Sequence, residues 1–168
     1  HHLVVLPMYD EDYQVVEDAV LSLARVNYPK EKMIVVLAIE ARAGATALTV
    51  GAKIERRFQN TFLKFLTTVH PFGLPNEIPG KGSNSAWAAV KAKSEVIDKL
   101  AIPYENILVS VFDVDSQPGP EYFGRLTYAF LTVEHPQRSS YQPVPLYTNN
   151  IFHASAFSRL VAFSTSFW

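Results

Sequence analysis

Cysteine is absent from the 168 residues. Disulfides and thiolate-bound metals are thereby excluded, and the composition suits a reducing compartment such as the cytosol. Neither sign of charge predominates: 15 basic residues stand against 16 acidic ones, a formal net charge of −1. That balance argues against a nucleic-acid surface driven by overall charge. Long uninterrupted apolar runs are lacking too. The nearest, residues 151–168, is broken by His153 and Arg159, so no stretch is expected to span a bilayer. No secretory leader is read at the start, where His1-His2 runs straight into Leu3-Val4-Val5-Leu6. Those two histidines resemble a tag remnant and are left out of any site.

What is present is an apolar fraction of 48 % against 18 % charged residues, which excludes a disordered chain. The length fits one domain, 1–168, with a single sizeable core. Beginning inside a strand-like run and ending on Phe167-Trp168, the chain reads as a piece of a longer protein.

Strand and helix patterns alternate. Leu3–Leu6 is a continuous apolar run closed by Pro7, as expected of a buried parallel strand. After Asp10-Glu11-Asp12, the residues Val15, Val16, Ala19, Val20 and Leu23 recur at helical spacing, with the acidic cluster at the favoured helix end. Pro29 stops that helix near Asn27-Tyr28. Met33–Ile39 is a second buried strand, residues 46–59 a helix-compatible segment, and Phe62–Val69 a third strand. A loop rich in proline and glycine leads to a helix over Ser83–Leu100, with Ser83 or a neighbour as cap. Ile107–Phe112 is the fourth strand. Pro118 and Pro120 open a helix whose expected inner face is Tyr122, Phe123, Leu126, Phe130 and Val133. From Ser139 on, a short strand or loop and a last helix are expected. The succession predicts an α/β fold, a mostly parallel central sheet with helices on both faces. Ligands of such sheets bind beyond the carboxyl ends of the strands, so function is sought there.

The first strand ends in Pro7-Met8-Tyr9-Asp10-Glu11, an aromatic ring and carboxylates able to stack on and hydrogen-bond a base. A turn with an acidic helix cap accounts for the same residues. The second ends at Glu40, which also fits an ordinary solvated strand end. The fourth ends in Asp113-Val114-Asp115, where residues two apart on an extended chain face one way. Paired carboxylates there suit a hard divalent cation, Mg²⁺ or Mn²⁺; turn formation before Pro118-Gly119-Pro120 is the plainer alternative. Gly80-Lys81-Gly82-Ser83, just before a helix, offers amides and a cation to phosphate. It is not a Walker A loop, and no G-x-G-x-x-G follows the first strand. The five histidines (1, 2, 70, 135 and 153) show no ligand spacing and are assigned to surface or core. No serine lies in a G-x-S-x-G context.

A strand ending P-x-Y-N/D-E, a G-K loop opening a helix, then a strand ending D-x-D is an order that resembles the family-2 glycosyltransferases. The residues are Pro7-Met8-Tyr9-Asp10-Glu11, Gly80-Lys81-Gly82 and Asp113-Val114-Asp115. Tyr141-Gln142-Pro143 and Tyr147-Thr148-Asn149-Asn150 are similar to the Q-x-P and Y-x-N stretch of membrane-bound, processive-synthase-like members. The resemblance covers nearly the whole chain and lies in order and spacing. It implies a Rossmann-like GT-A fold and a nucleoside diphosphate sugar as donor, uridine ahead of guanosine. Pro7, Tyr9, Asp10 and Glu11 would line the nucleotide, with Tyr9 and Glu11 on the base and Glu40 in the place of a second-strand aspartate. Lys81 would approach the diphosphate, Asp113 the nucleotide or sugar, and Asp115, with Asp113, the Mn²⁺ or Mg²⁺. The acceptor is a hydroxyl of unknown identity. The parent protein would work at the cytoplasmic face of a membrane, held there by parts outside this chain.

The sequence departs from the family pattern at Asp10 for asparagine, Glu40 for aspartate, and Ser83-Asn84-Ser85-Ala86 for A-L-N. After Asn150 nothing matches the carboxylate motif that supplies a general base or the Q-x-x-R-W motif, so no catalytic base is named. A non-catalytic nucleotide-sugar-binding module is the alternative. A further one is a haloacid-dehalogenase-like phosphatase, with Asp113 as nucleophile.

Overall fold

The computed structural model describes residues 1–143 and 155. The chain divides into two compact units, His1–Thr132 and Val133–Trp168. All strands and α-helices of the described residues lie in the first. In the second, the described residues form one 3₁₀ turn, Pro136–Arg138, with Tyr141-Gln142-Pro143 outside regular structure. The Y-x-N residues 147–150 and the expected last helix fall outside the described residues.

Four strands, β1 (His2–Met8), β2 (Met33–Glu40), β3 (Lys64–His70) and β4 (Leu108–Val111), form one sheet in the order β3-β2-β1-β4. Every pairing is parallel. Parallel neighbours require crossovers, supplied by α1 (Tyr13–Arg25), α2 (Gly44–Phe58) and α3 (Lys81–Ala92), while α4 (Tyr122–Thr132) follows β4. The sheet is therefore Rossmann-like, α/β and flanked by helices on both faces, as the strand and helix patterns predict.

The two-residue period of the strands sorts the core. Val4, Leu6 and Met8 of β1, with Met33, Val35, Leu37 and Ile39 of β2, meet Val16, Val20 and Leu23 of α1, Ile54 and Phe58 of α2, and Phe123 of α4. Their neighbours Leu3, Val5, Ile34, Val36 and Ala38 face the other way, onto Ala88 and Ala92 of α3 and the following Val96 and Ile97. With both faces covered, β1 and β2 are buried along their whole length, and each such Val, Leu or Ile contributes roughly 1.5–3 kcal/mol. Small alanines let α3 lie close on its face.

Several boundaries differ from the sequence expectation. β1 does not stop before Pro7: Pro7 pairs with Ala38 and Met8 with Ile39. Proline is tolerated because β4 pairs with β1 only as far as Val5. The Phe112 amide donates to the Val5 carbonyl at 3.1 Å, so Val5, and with it Pro7, turns its backbone groups to the β4 side. Beyond the end of β4 no ladder bond is lost there. His2 is no appended residue in space but the first residue of β1, 1 % exposed. α3 begins at Lys81 after Gly80 rather than at Ser83. The Ser83 hydroxyl donates back to the Ile78 and Gly80 carbonyls, both at 2.9 Å, instead of capping amides. Beyond Ala92 the helix widens into a π turn, Lys93–Ile97. Of the expected inner face of α4 only Phe123 is buried, and Val133 lies past its end.

Candidate functional site at the carboxyl edge of the sheet

From β1 the chain steps outward to β2 and β3, then returns to place β4 on the other side of β1. At such a reversal neighbouring loops part in opposite directions, opening a crevice at the carboxyl ends of the strands. Here the reversal falls between β1 and β4, where Pro7 offers no backbone donor.

The loop after β1 carries Tyr9, Asp10 and Glu11. The Tyr9 amide donates to Glu11 Oε2 at 2.7 Å, so Glu11 braces its own loop, as the turn interpretation of these residues expects. Asp12 stands at the N-cap of α1 without a side-chain cap bond. After β4, the Ser116 amide donates to the Asp113 carbonyl at 2.8 Å, closing a turn. Val114 is buried in the core while Asp113 and Asp115 on either side are exposed. Lys81, at the first position of α3, pairs its ammonium with Asp113 Oδ1, across 32 residues of sequence. Both side chains stay more than half exposed, 54 % and 65 %. An ion pair so wet is worth no more than about 1 kcal/mol, so incoming charge can replace either partner.

A second cluster adjoins the first. Glu40 ends β2 opposite His70 of β3 and is buried, yet its Oε2 accepts from Nε of Arg42, in the 3₁₀ turn Ala41–Ala43. This bond holds the Arg42 guanidinium above even the ordinary arginine range. The guanidinium carbon sits 5.2 Å from the Tyr9 ring centroid, within reach of the ring's electron-rich face. His70 Nε2 lies 3.0 Å from Glu77 Oε1, and its ring meets Trp87 edge-on at 5.6 Å. Glu40, Arg42, His70 and the loop through Phe72, Glu77 and Pro79 line a narrow crevice enclosing about 10 Å³, room for about one water.

Of the residues singled out in the sequence, Lys81 and Asp113 are thus in contact. Tyr9 is linked to Glu40 through Arg42, and Asp10 is exposed on the β1 loop. Arg42 belongs to none of the motifs. Its one sequence signal is a cation two residues after the carboxylate that ends a buried strand.

Among the described residues no three of His, Asp and Glu gather into a ready-made metal cage. Two aspartates without histidine still fit a hard cation of the Mg²⁺ type, which binds through one or two carboxylates and completes its shell with substrate phosphates and water. They do not fit zinc. No known protein family, characterised protein or solved structure matches this chain.

Proposed function

We propose that this chain is the donor-binding domain of a glycosyltransferase of the family-2 kind. It would bind a nucleoside diphosphate sugar together with Mg²⁺ or Mn²⁺ and present the sugar to an acceptor hydroxyl. The observation that carries the reading is the meeting of Lys81 with Asp113 at the reversal point of the sheet. Sugar transfer releases a nucleoside diphosphate, and groups aimed at the charge growing on that leaving group lower the barrier most. The Lys81 ammonium, freed from Asp113, would face the diphosphate at the amino end of α3, where helix polarity also favours an anion. Asp113 and Asp115 would hold the divalent ion, which supplies further positive charge to the leaving diphosphate. The base end would lie toward Tyr9, Glu40 and Arg42. No residue is assigned as the base for the acceptor hydroxyl. Any membrane association would come from outside the described helices, none of which is long and apolar enough to cross a bilayer.

Calorimetric titration of UDP and GDP tests this, with Mn²⁺, with chelator, and on Asp115→Ala. Binding of one nucleotide that needs Mn²⁺ and weakens about 10-fold or more in the variant is expected, matching loss of a charge-assisted ligand. A folded chain that binds neither nucleotide removes the proposal.

A further inference from the structure

We propose that the flank of α1 and the chain leading from β4 to α4 form a docking groove for an extended peptide. Its ligand would carry a basic and an acidic side chain three residues apart. The groove shares no residue with the carboxyl-edge site and would serve whether or not that site takes a sugar donor.

Asp18, Leu21, Ser22 and Arg25 recur at helical intervals, so they form one stripe along α1. Facing that stripe, Gln117, Pro118 and Pro120 line the other wall of an open groove of about 440 Å³, a volume usual for ligand sites. The second wall is held at both ends. Toward β4 the Ser116 amide donates to the Asp113 carbonyl at 2.8 Å, and toward α4 the Pro120 carbonyl accepts from the Asn27 amide, also at 2.8 Å. Asn27 Nδ2 adds a bond to Glu121 Oε1 at 3.0 Å. The prolines fix their own φ. The wall is therefore set in advance, which lowers the ordering cost of binding.

The two charges of the stripe stand at its opposite ends, about 10 Å apart along the helix axis. Asp18 Oδ1 accepts from Gln14 Nε2 at 3.0 Å, which leaves Oδ2 for a ligand. The Arg25 guanidinium and the Gln117 side-chain amide are exposed and have no hydrogen-bond partner among the described residues. Between the charges, Leu21 and Pro118 are half-buried and apolar. A free amino acid is too short to reach both ends. A phosphate or nucleotide would meet one cation and be repelled by Asp18, and a sugar would find no aromatic ring on either wall. A polyproline II segment fits, because its residues i and i+3 fall on one side about 9 Å apart. A lysine and a glutamate at that spacing reach Asp18 and Arg25 together, while the residues between them cover Leu21 and Pro118. Such a segment leaves its backbone groups unbonded, and the Gln117 amide, donor and acceptor at once, can meet one of them.

The test is NMR titration of the isotope-labelled 168-residue chain with three end-blocked peptides. They are Lys-Pro-Pro-Glu, its doubly acidic form Glu-Pro-Pro-Glu, and Pro-Lys-Glu-Pro, in which the charges are adjacent. Lys-Pro-Pro-Glu is expected to shift the amide signals of residues 18–25 and of Gln117 and Gly119. It should bind about 3–5-fold more tightly than either control, the worth of one exposed ion pair. Arg25→Glu should remove that preference. The double variant Asp18→Lys, Arg25→Glu should restore it, since the peptide can then lie in the opposite direction. Raising the salt should weaken the wild-type complex, a readout that needs no variant. Signals that do not move, or that move equally with all three peptides, overturn the inference. So does binding that ignores salt, or a preference that survives Arg25→Glu in a chain whose circular dichroism is unchanged. A folded double variant that binds no better than Arg25→Glu overturns it as well.

Discussion

Between Tyr28 and Phe123 the imidazole of His2 meets two ring edges at 4.8 and 4.9 Å, and its Nε2 lies 2.9 Å from Thr127 Oγ1. Nδ1 is buried with no partner. Protonation would place a charge in this aromatic pocket and leave an N–H donor there unpaired, which is costly. Burial first, and then the nearby terminal ammonium, lower the His2 pKa from 6.5 to about 4. The folded chain thus holds fewer protons than the unfolded one between these values. The contribution of His2 is complete above pH 6.5 and is lost as the pH falls toward 4. By pH 5 the loss is on the order of 2 kcal/mol. Urea unfolding at pH 7 and pH 5 should show this extra loss in the wild-type chain and not in His2→Phe; equal losses in the two proteins would refute the assignment. In the sequence, two leading histidines look like an appendage, because nothing local tells a buried histidine from a tag. Only the pairing of His2 with Met33 and Leu108 across the sheet does so.

The elements themselves were legible wherever the pattern is strong. Met33–Glu40 can hardly be anything but a buried strand. The α1 periodicity picked out Val16, Ala19, Val20 and Leu23, all buried, but missed that Val15 is exposed and Glu17 is covered. Glu17 is tied to Tyr13 and to Arg57 of α2, a pairing across 40 residues that no helical repeat displays. Two glycines make the same point about packing. Gly51 lies in α2, where an added Cβ would overlap Ile39 Cδ1 and touch Thr67 Cγ2 at 3.4 Å. Ile39 is itself fully buried, so its Cδ1 would have to turn aside within a packed core. Gly124 in α4 has nothing closer to such a Cβ than Glu121 Oε2 at 4.0 Å. Alanine gains up to about 1 kcal/mol of helix propensity at either site. At Gly51 overpacking, typically about 1–3 kcal/mol, opposes it. Gly124→Ala should therefore raise the unfolding free energy by about 0.5–1 kcal/mol, and Gly51→Ala should lower it by about 1 kcal/mol. Equal shifts in the same direction would mean that α2 does not sit this close to the sheet.

At the scale of the whole molecule, strand order decides what lies near what, and order is the property least visible in a linear pattern. Four strand-helix units could be read off, but not that β4 would return beside β1. That return brings Lys81 to Asp113, and the β1 and β2 ends bring Tyr9 to Arg42. Motif order hinted at the first pair through resemblance; nothing hinted at the second. The same topology sets a limit on the folding unit. Among the described residues both cores are complete by Phe123, and all four strands and four helices end by Thr132. A chain stopped at Thr132 should then fold by itself. Trp87 would be its sole tryptophan, packed on His70 beside the crevice, so fluorescence reports on the site while circular dichroism reports on the helices. For a cooperative unit the two signals must share one urea midpoint, with a slope of about 1–3 kcal/mol/M. The truncated chain is also expected to keep the nucleotide affinity of the full chain, since Tyr9, Glu40, Arg42, Lys81, Asp113 and Asp115 all remain. Separate midpoints, or a truncated chain that no longer folds, would show that residues after Thr132 complete the cooperative unit. Intact folding with lost nucleotide binding would instead place part of the site among those residues.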